Sequence, residues 1–166
     1  RGEYEITDAI QGLIDEGKLV VPVEASGWWK DTGKPEDILD ANRLELLELC
    51  GKVEGRVEDS ELVGDVRVDK GAFVQGSRIV GPVIIGADAR IENAYVGPYT
   101  SIGRGVVVKD SEIEYSVVEQ GTRIEQVRVR IQGSLIGANV VVCGNARRPQ
   151  SHELILGDQS RLLLSS

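Results

Sequence analysis

The 166 residues include no methionine, one phenylalanine, two tryptophans, two cysteines and a single histidine. Each shortage closes off a class of explanation. Cys50 and Cys143 lie far apart, form no CxxC pair, and with only His152 to join them offer no structural zinc site, so both read as unpaired thiols. No run approaches the roughly 18 apolar residues of a membrane helix, and the opening RGEYEITD lacks the basic-then-apolar layout of a signal peptide. Positive charge is also short: 19 Lys and Arg against 27 Asp and Glu leave a net charge of −8 with no basic stripe. Nucleic acid and anionic membrane are therefore poor partners, and a soluble, cytoplasmic protein is expected. The first residue is not methionine and the opening reads as a strand end entering a helix, so a piece of a longer polypeptide is expected.

What is present falls into two styles. In the first, residues 1–52, helix and strand signals mix. Thr7 or Asp8 is placed to cap a short helix with Ile10, Leu13 and Ile14 at helical spacing, and Gly17 to end it. KLVVPVEA (18–25) predicts a strand, with Pro22 assigning it to an edge or bulge. Pro35 at a first helical position, followed by Glu36 and Asp37, starts a second helix through Ile38, Leu39, Leu46, Leu47 and Leu49, stopped by Gly51. This reads as the C-terminal remnant of an α/β domain, because one short strand is too little sheet for two helices to pack on.

The second style, residues 53–166, is a repeat. Val57, Leu62, Val68, Val74, Ile79, Ile85, Ile91, Val96, Ile102, Val108, Ile113, Val118 and Ile124 follow one another at intervals of five or six residues. With Ile, Leu and Val making up 50 of 166 residues, thirteen such hits in one fixed register have a chance probability on the order of 10⁻⁷, and even a roughly thousandfold discount for the choice of register leaves a real repeat. A small or β-branched residue stands four positions after many of these anchors, at Val66, Ala72, Val83, Ala89, Thr100, Val106 and Thr122. Glycine follows others directly, at Gly86, Gly97 and Gly103, where a turn with relaxed backbone geometry is expected. Three intervals sum to 17 residues from 57 to 74, 74 to 91 and 91 to 108, the length of one coil in a three-sided stack of parallel strands. A β-sandwich is the competing fold, but its turns fall every 8–12 residues and do not hold this interval.

This pattern of aliphatic, glycine and small residue resembles the hexapeptide-repeat family, which implies a mainly β fold, a left-handed parallel β-helix. The match covers about 57–130, weakens, and returns as LIGANVV (135–141) and LGDQSRL (156–162), with CGNARRPQSHE (143–153) an irregular excursion. Coil ends need capping, and residues 35–50 and the tail are candidates.

The first 52 residues carry a second resemblance. Gly2, Glu3, Tyr4, Glu5, Ile6, Thr7 and Asp8 depart only at Tyr4 from a Gly-Glu-Leu-Glu-Ile-Thr-Asp motif, and Trp29, Lys30, Asp31, Thr32 and Gly33 match Trp-x-Asp-Thr-Gly. Both are similar to sugar-1-phosphate nucleotidyltransferases, most closely the glucose-1-phosphate thymidylyltransferase type with a β-helix tail. The resemblance implies that a sugar 1-phosphate, glucose 1-phosphate favoured, attacks a nucleoside triphosphate, dTTP favoured, giving a nucleotide sugar and pyrophosphate. It implies Asp31 as a ligand to Mg²⁺, a hard ion suited to oxygen donors. It implies Glu5 as acceptor for sugar hydroxyls and Trp29 as a wall of the sugar pocket. Trp28, which the motif does not require, reads as packing.

The glycine-rich nucleotide segment of that family is absent from the chain, so these residues alone are expected not to turn over. Two other functional readings stand beside this one. Many hexapeptide-repeat proteins transfer acetyl groups from coenzyme A with a histidine base, for which only His152 is available, and enzymes joining both activities exist. The β-helix also suits assembly or regulation, which predicts a homo-oligomer.

Overall fold

A computed structural model describes residues 5–24, 26 and 33–144. The chain divides into two compact units, residues 1–30 and 31–166. In the first, α1 (Ile6–Asp15) starts one residue ahead of the expected caps, with Glu5 as N-cap, and ends at Gly17, whose φ of 74° is the left-handed close that glycine permits. None of its residues is buried. The strand expected over 18–25 does not form: residues 18–24 have no regular structure, and Leu19 and Val23 are 90% and 88% exposed. A strand needs a neighbour to complete its hydrogen bonds, and none of the described residues supplies one.

The second unit is a three-sided parallel β-solenoid of about five turns, preceded by α2 (Pro35–Leu47). The anchors stack on one another. The first sheet pairs Val53, Val68, Ile85, Ile102, Val118 and Ile136 in register. The second pairs Val57, Val74, Ile91, Val108, Ile124 and Val142. The third pairs Leu62, Ile79, Val96, Ile113 and Ile131. Every pairing is parallel, which no antiparallel sandwich satisfies. From Val68 to Ile124 the anchors are at most 1% exposed and form a single core. The repeat does not fade at 130. Ile131 stands seven residues after Ile124, and that one extra residue breaks the interval where the sequence match weakens; the return expected at 135–141 pairs in register at Ile136, and the coil continues to Val142.

The second inward position is filled as expected, with Val66, Ala72, Val83, Ala89, Thr100, Val106 and Thr122 all buried. Serines complete it. Ser60 Oγ donates to the Glu58 carbonyl at 2.6 Å and accepts from the Ser77 N–H at 3.0 Å. Ser77 Oγ donates to Gln75 and accepts from Ala94 in the same way, at 2.8 and 3.0 Å. Each hydroxyl has both hydrogen-bonding roles met, donating to a carbonyl two residues back and accepting from an N–H one coil on, which offsets the cost of withdrawing it from water. Thr100 Oγ1 is buried without a partner among the described residues.

Gly86, Gly97 and Gly103 are needed for a different reason from the one expected. None has a positive φ; instead, a Cβ on Gly86 would lie 2.8 Å from the Ile102 carbonyl oxygen, and one on Gly103 2.8 Å from the Gln120 nitrogen and the Val118 oxygen. Close stacking of coils, not turn geometry, excludes a side chain there. The left-handed residues stand at the corners instead: Asp59, Gly76, Asn93, Asp110 and Gln126 at one, Gly71, Asp88, Gly105, Gly121 and Asn139 at another. Gly, Asn and Asp tolerate this conformation best. The third corner has Gly64 and Gly133 at its ends but Tyr99 and Tyr115 between, with φ of 60° and 45°. A ring at such a position costs on the order of 1–2 kcal/mol of backbone energy.

Candidate functional site

Of the residues that the sequence nominates, Glu5 is described. It caps α1, its carbonyl accepting the Asp8 N–H at 3.1 Å, and its exposed carboxylate accepts the Thr7 hydroxyl at 3.5 Å. Trp29, Asp31, Trp28 and His152 lie outside the described residues, as do the expected tail segment 156–162 and most of the excursion. Among the described residues no three His, Cys, Asp or Glu side chains could hold a metal ion, so these residues by themselves supply no Mg²⁺ site. No helix among them is long and apolar enough to cross a membrane.

What is well defined is the helix that follows the Trp-x-Asp-Thr-Gly stretch. The Lys34 N–H donates to Asp37 Oδ2 at 3.2 Å, and Pro35 occupies the first helical position, so this start is fixed within the segment itself. The helix ends at Leu47, short of Gly51, whose N–H turns instead to Asp65 at 3.3 Å. Leu39 and Leu46, two turns apart, are buried. Asn42, on the same face, uses both ends of its amide: Nδ2 donates to the Tyr99 carbonyl at 3.0 Å, and Oδ1 accepts the Ser101 hydroxyl at 2.6 Å. The Tyr115 hydroxyl donates to Asp40 Oδ1 at 2.9 Å, and the rings of Tyr99 and Tyr115 meet edge to face at 6.4 Å. The helix thus lies against the flank of the solenoid, at the two tyrosine-bearing coils, and does not cap an end.

Two open grooves run along the solenoid. One, of about 530 Å³, is lined by Glu54, Arg56, Phe73 and Arg90; the Arg56 guanidinium lies over the Phe73 ring at 5.5 Å and is held by Glu58. The other, of about 400 Å³, passes Tyr95 and Glu112. Beside it Arg130 stacks on Tyr95 at 4.7 Å and reaches Glu112 and Glu114 at 2.9 and 3.1 Å. The hydrogen bond to Glu112 and the charge of both carboxylates hold its proton more firmly than usual. Neither groove pairs a nucleophile with a base, and the sequence places no histidine on any described coil.

Sequence reasoning missed Asp40, Asn42, Tyr99 and Tyr115. A signal existed for the tyrosines: in a chain with four of them, two fall at the repeat position where glycine stands in outer coils.

Comparison with known proteins bears on the parts that the geometry leaves open. The Nucleotidyl transferase family matches residues 1–47, which include Glu5, Trp29 and Asp31. Glucose-1-phosphate thymidylyltransferase of Streptomyces griseus is 48% identical over 100% of this chain and 47% of its own length. Its namesake in Streptomyces antibioticus is 45% identical over the same shares. Bifunctional protein GlmU of Methanocaldococcus jannaschii is 36% identical over 84% of this chain and 35% of its own length. The chain spans about half the length of the first two relatives and about a third of the last. Motifs, solenoid and full-length similarity agree: the chain is homologous throughout to the C-terminal half of sugar-1-phosphate nucleotidyltransferases of the glucose-1-phosphate thymidylyltransferase type.

Proposed function

We propose that the protein carrying this chain joins a sugar 1-phosphate, glucose 1-phosphate in the first instance, to a nucleoside triphosphate, dTTP in the first instance. A phosphate oxygen of the sugar 1-phosphate attacks the α-phosphorus; the bond from that phosphorus to the bridging oxygen breaks, and pyrophosphate leaves with the electron pair. The observation that supports this reading is similarity along the whole chain to proteins bearing that name, with both motif segments inside the matched residues 1–47. Glu5 accepts hydrogen bonds from sugar hydroxyls, and Trp29 lays its apolar face against the hexose. Asp31 provides one oxygen ligand to Mg²⁺, which when bound offsets negative charge on the phosphates. In this reading the nucleotide-binding groups are expected in a segment outside this chain, which spans about half of the relatives' length.

The solenoid serves as an assembly surface in this reading, making a homo-oligomer the expected state; a monomer by light scattering counts against that part. The test of the reaction is pyrophosphate release by the protein containing both halves, with glucose 1-phosphate, dTTP and Mg²⁺. Asp31→Asn is expected to lower kcat by at least about 100-fold. No release with any common hexose 1-phosphate and nucleoside triphosphate overturns it.

The hexapeptide-repeat resemblance carries one further arm, acetyl transfer from acetyl-coenzyme A to an amino-sugar phosphate, and the similarity to a protein named bifunctional stands beside it. Activity lost in His152→Ala would support it.

A further inference from the structure

Strands of the second sheet turn two side chains outward around each inward anchor, and the stacking of coils lines these up in two columns. Arg56, Phe73, Arg90, Val107 and Arg123 form the first, and Glu58, Gln75, Glu92, Lys109 and Glu125 the second. Charge is matched unevenly between them. Arg56 pairs with Glu58, and Arg123 with Glu125 at 2.6 Å, each taking the glutamate two residues on. Arg90 does not: its glutamate, Glu92, faces Lys109 on the next coil at 3.6 Å, and among the described residues Arg90 makes no ion pair.

The diverted glutamate leaves an exposed guanidinium one coil after the chain's single phenylalanine, and Phe73 and Arg90 line the same groove of about 530 Å³. The one carboxylate in that lining, Glu54, is taken by Lys52 at 2.9 Å. In the other groove Arg130 also stacks on a ring, Tyr95, but Glu112 and Glu114 occupy its donors. An unclaimed guanidinium presents two parallel N–H groups that match two oxygens of one carboxylate or phosphate. The phenyl ring beside it adds an apolar surface on which a second ring can stack. Arg56, held by Glu58 and lying over Phe73 at 5.5 Å, steadies that ring before any ligand arrives.

We propose that Arg90 and Phe73 form a binding site for a small aromatic oxyanion, a planar ring bearing a carboxylate or phosphate group, with its oxygens on Arg90 and its ring on Phe73. The site lies wholly on the solenoid and does not rest on the nucleotidyl-transfer reading. Lys109, outside the groove, is a positioning residue, because it draws Glu92 away from Arg90.

Isothermal titration of the full-length protein at low salt, with phenyl phosphate and with benzoate, tests the site. At least one of the two is expected to bind with a Kd below about 5 mM, as an open groove with one charged contact allows. Arg90→Gln is expected to weaken that binding by about tenfold or more, and Phe73→Leu by about threefold, with the response to inorganic phosphate unmoved in the second variant. Arg90 is exposed, so an unchanged circular dichroism melt of Arg90→Gln separates lost binding from lost fold. Lys109→Ala releases Glu92 to turn back to Arg90 and is expected to weaken binding about threefold, a response that a purely structural Arg90 would not give. Tighter binding of phenyl phosphate supports the site with a phosphate ester as its ligand class, and tighter binding of benzoate supports it with a carboxylate. Failure of both probes to bind below about 5 mM overturns the site, as does binding that Arg90→Gln leaves unchanged. Inorganic phosphate bound as tightly as phenyl phosphate, with benzoate silent, overturns the part played by Phe73.

Discussion

Residues 5–24 and the solenoid draw on the same aliphatic side chains and treat them oppositely. Ile6, Leu19 and Val23 stand largely in solvent, whereas Ile79, Ile85 and Ile91 are completely buried. The apolar residues of α1 form a stripe at helical spacing, and a stripe is stable only when something else covers it. A coil of the solenoid carries its own cover, because the coil above presents the same residue at the same place. Hydrophobic content alone therefore says little about whether a segment can stand by itself; the period of that content decides it.

The comparison can be broken at its strongest point first. Ile91→Ala, between Val74 and Val108 in the second sheet, should cost about 2–5 kcal/mol, whereas Leu19→Ala should leave the denaturant midpoint of the solenoid unmoved. Equal shifts in the two variants would mean that the regions do not differ as described. Glycine gives a second contrast. Gly103→Ala pushes a methyl into the backbone of the next coil and should destabilise by roughly 1–3 kcal/mol, while Gly12→Ala, with open space inside α1, should stabilise that helix by about 0.5–1 kcal/mol. Circular dichroism melts of the two variants check the opposite signs. The smallest effect sharpens the picture of the core. Thr100→Val removes the buried hydroxyl that lacks a partner and continues a column already occupied by Val66 and Val83, so it should raise stability by about 1 kcal/mol. A loss of stability would point to a partner for that hydroxyl.

The solenoid was legible because each coil repeats its evidence. Thirteen anchors predicted from Val57 to Ile124 pair with one another, and an error at any one of them would have been outvoted. The same redundancy weakens at a single insertion, which is why the match thins between Ile124 and Ile131 before it returns at 135–141. It also misled about glycine: adjacency to an anchor was visible in Gly86 and Gly103, but the oncoming backbone that forbids a Cβ was not. The strand expected over 18–25 failed for a complementary reason, since β-propensity and alternation describe one edge of a ladder and not its partner. Glu5, Trp29 and Asp31 came from motif resemblance, and matching of the nucleotidyl transferase family to residues 1–47 covers all three. The contacts of Asp40 and Asn42 span 57 to 75 residues and follow no period, so no local pattern encodes them.

A repeat of this kind has a difficulty peculiar to itself. Seen from outside, one coil is much like the next, displaced by roughly 4.8 Å, and a helix settling on its flank could settle one step too high or too low. Tyr99 and Tyr115 interrupt that sameness on two adjacent coils, where Gly64 and Gly133 leave the outer ones bare. They serve as an address. A ruler of identical marks becomes usable once two of them are numbered, and here the numbers are read by the hydrogen bonds from Asn42 to the Tyr99 carbonyl and from the Tyr115 hydroxyl to Asp40.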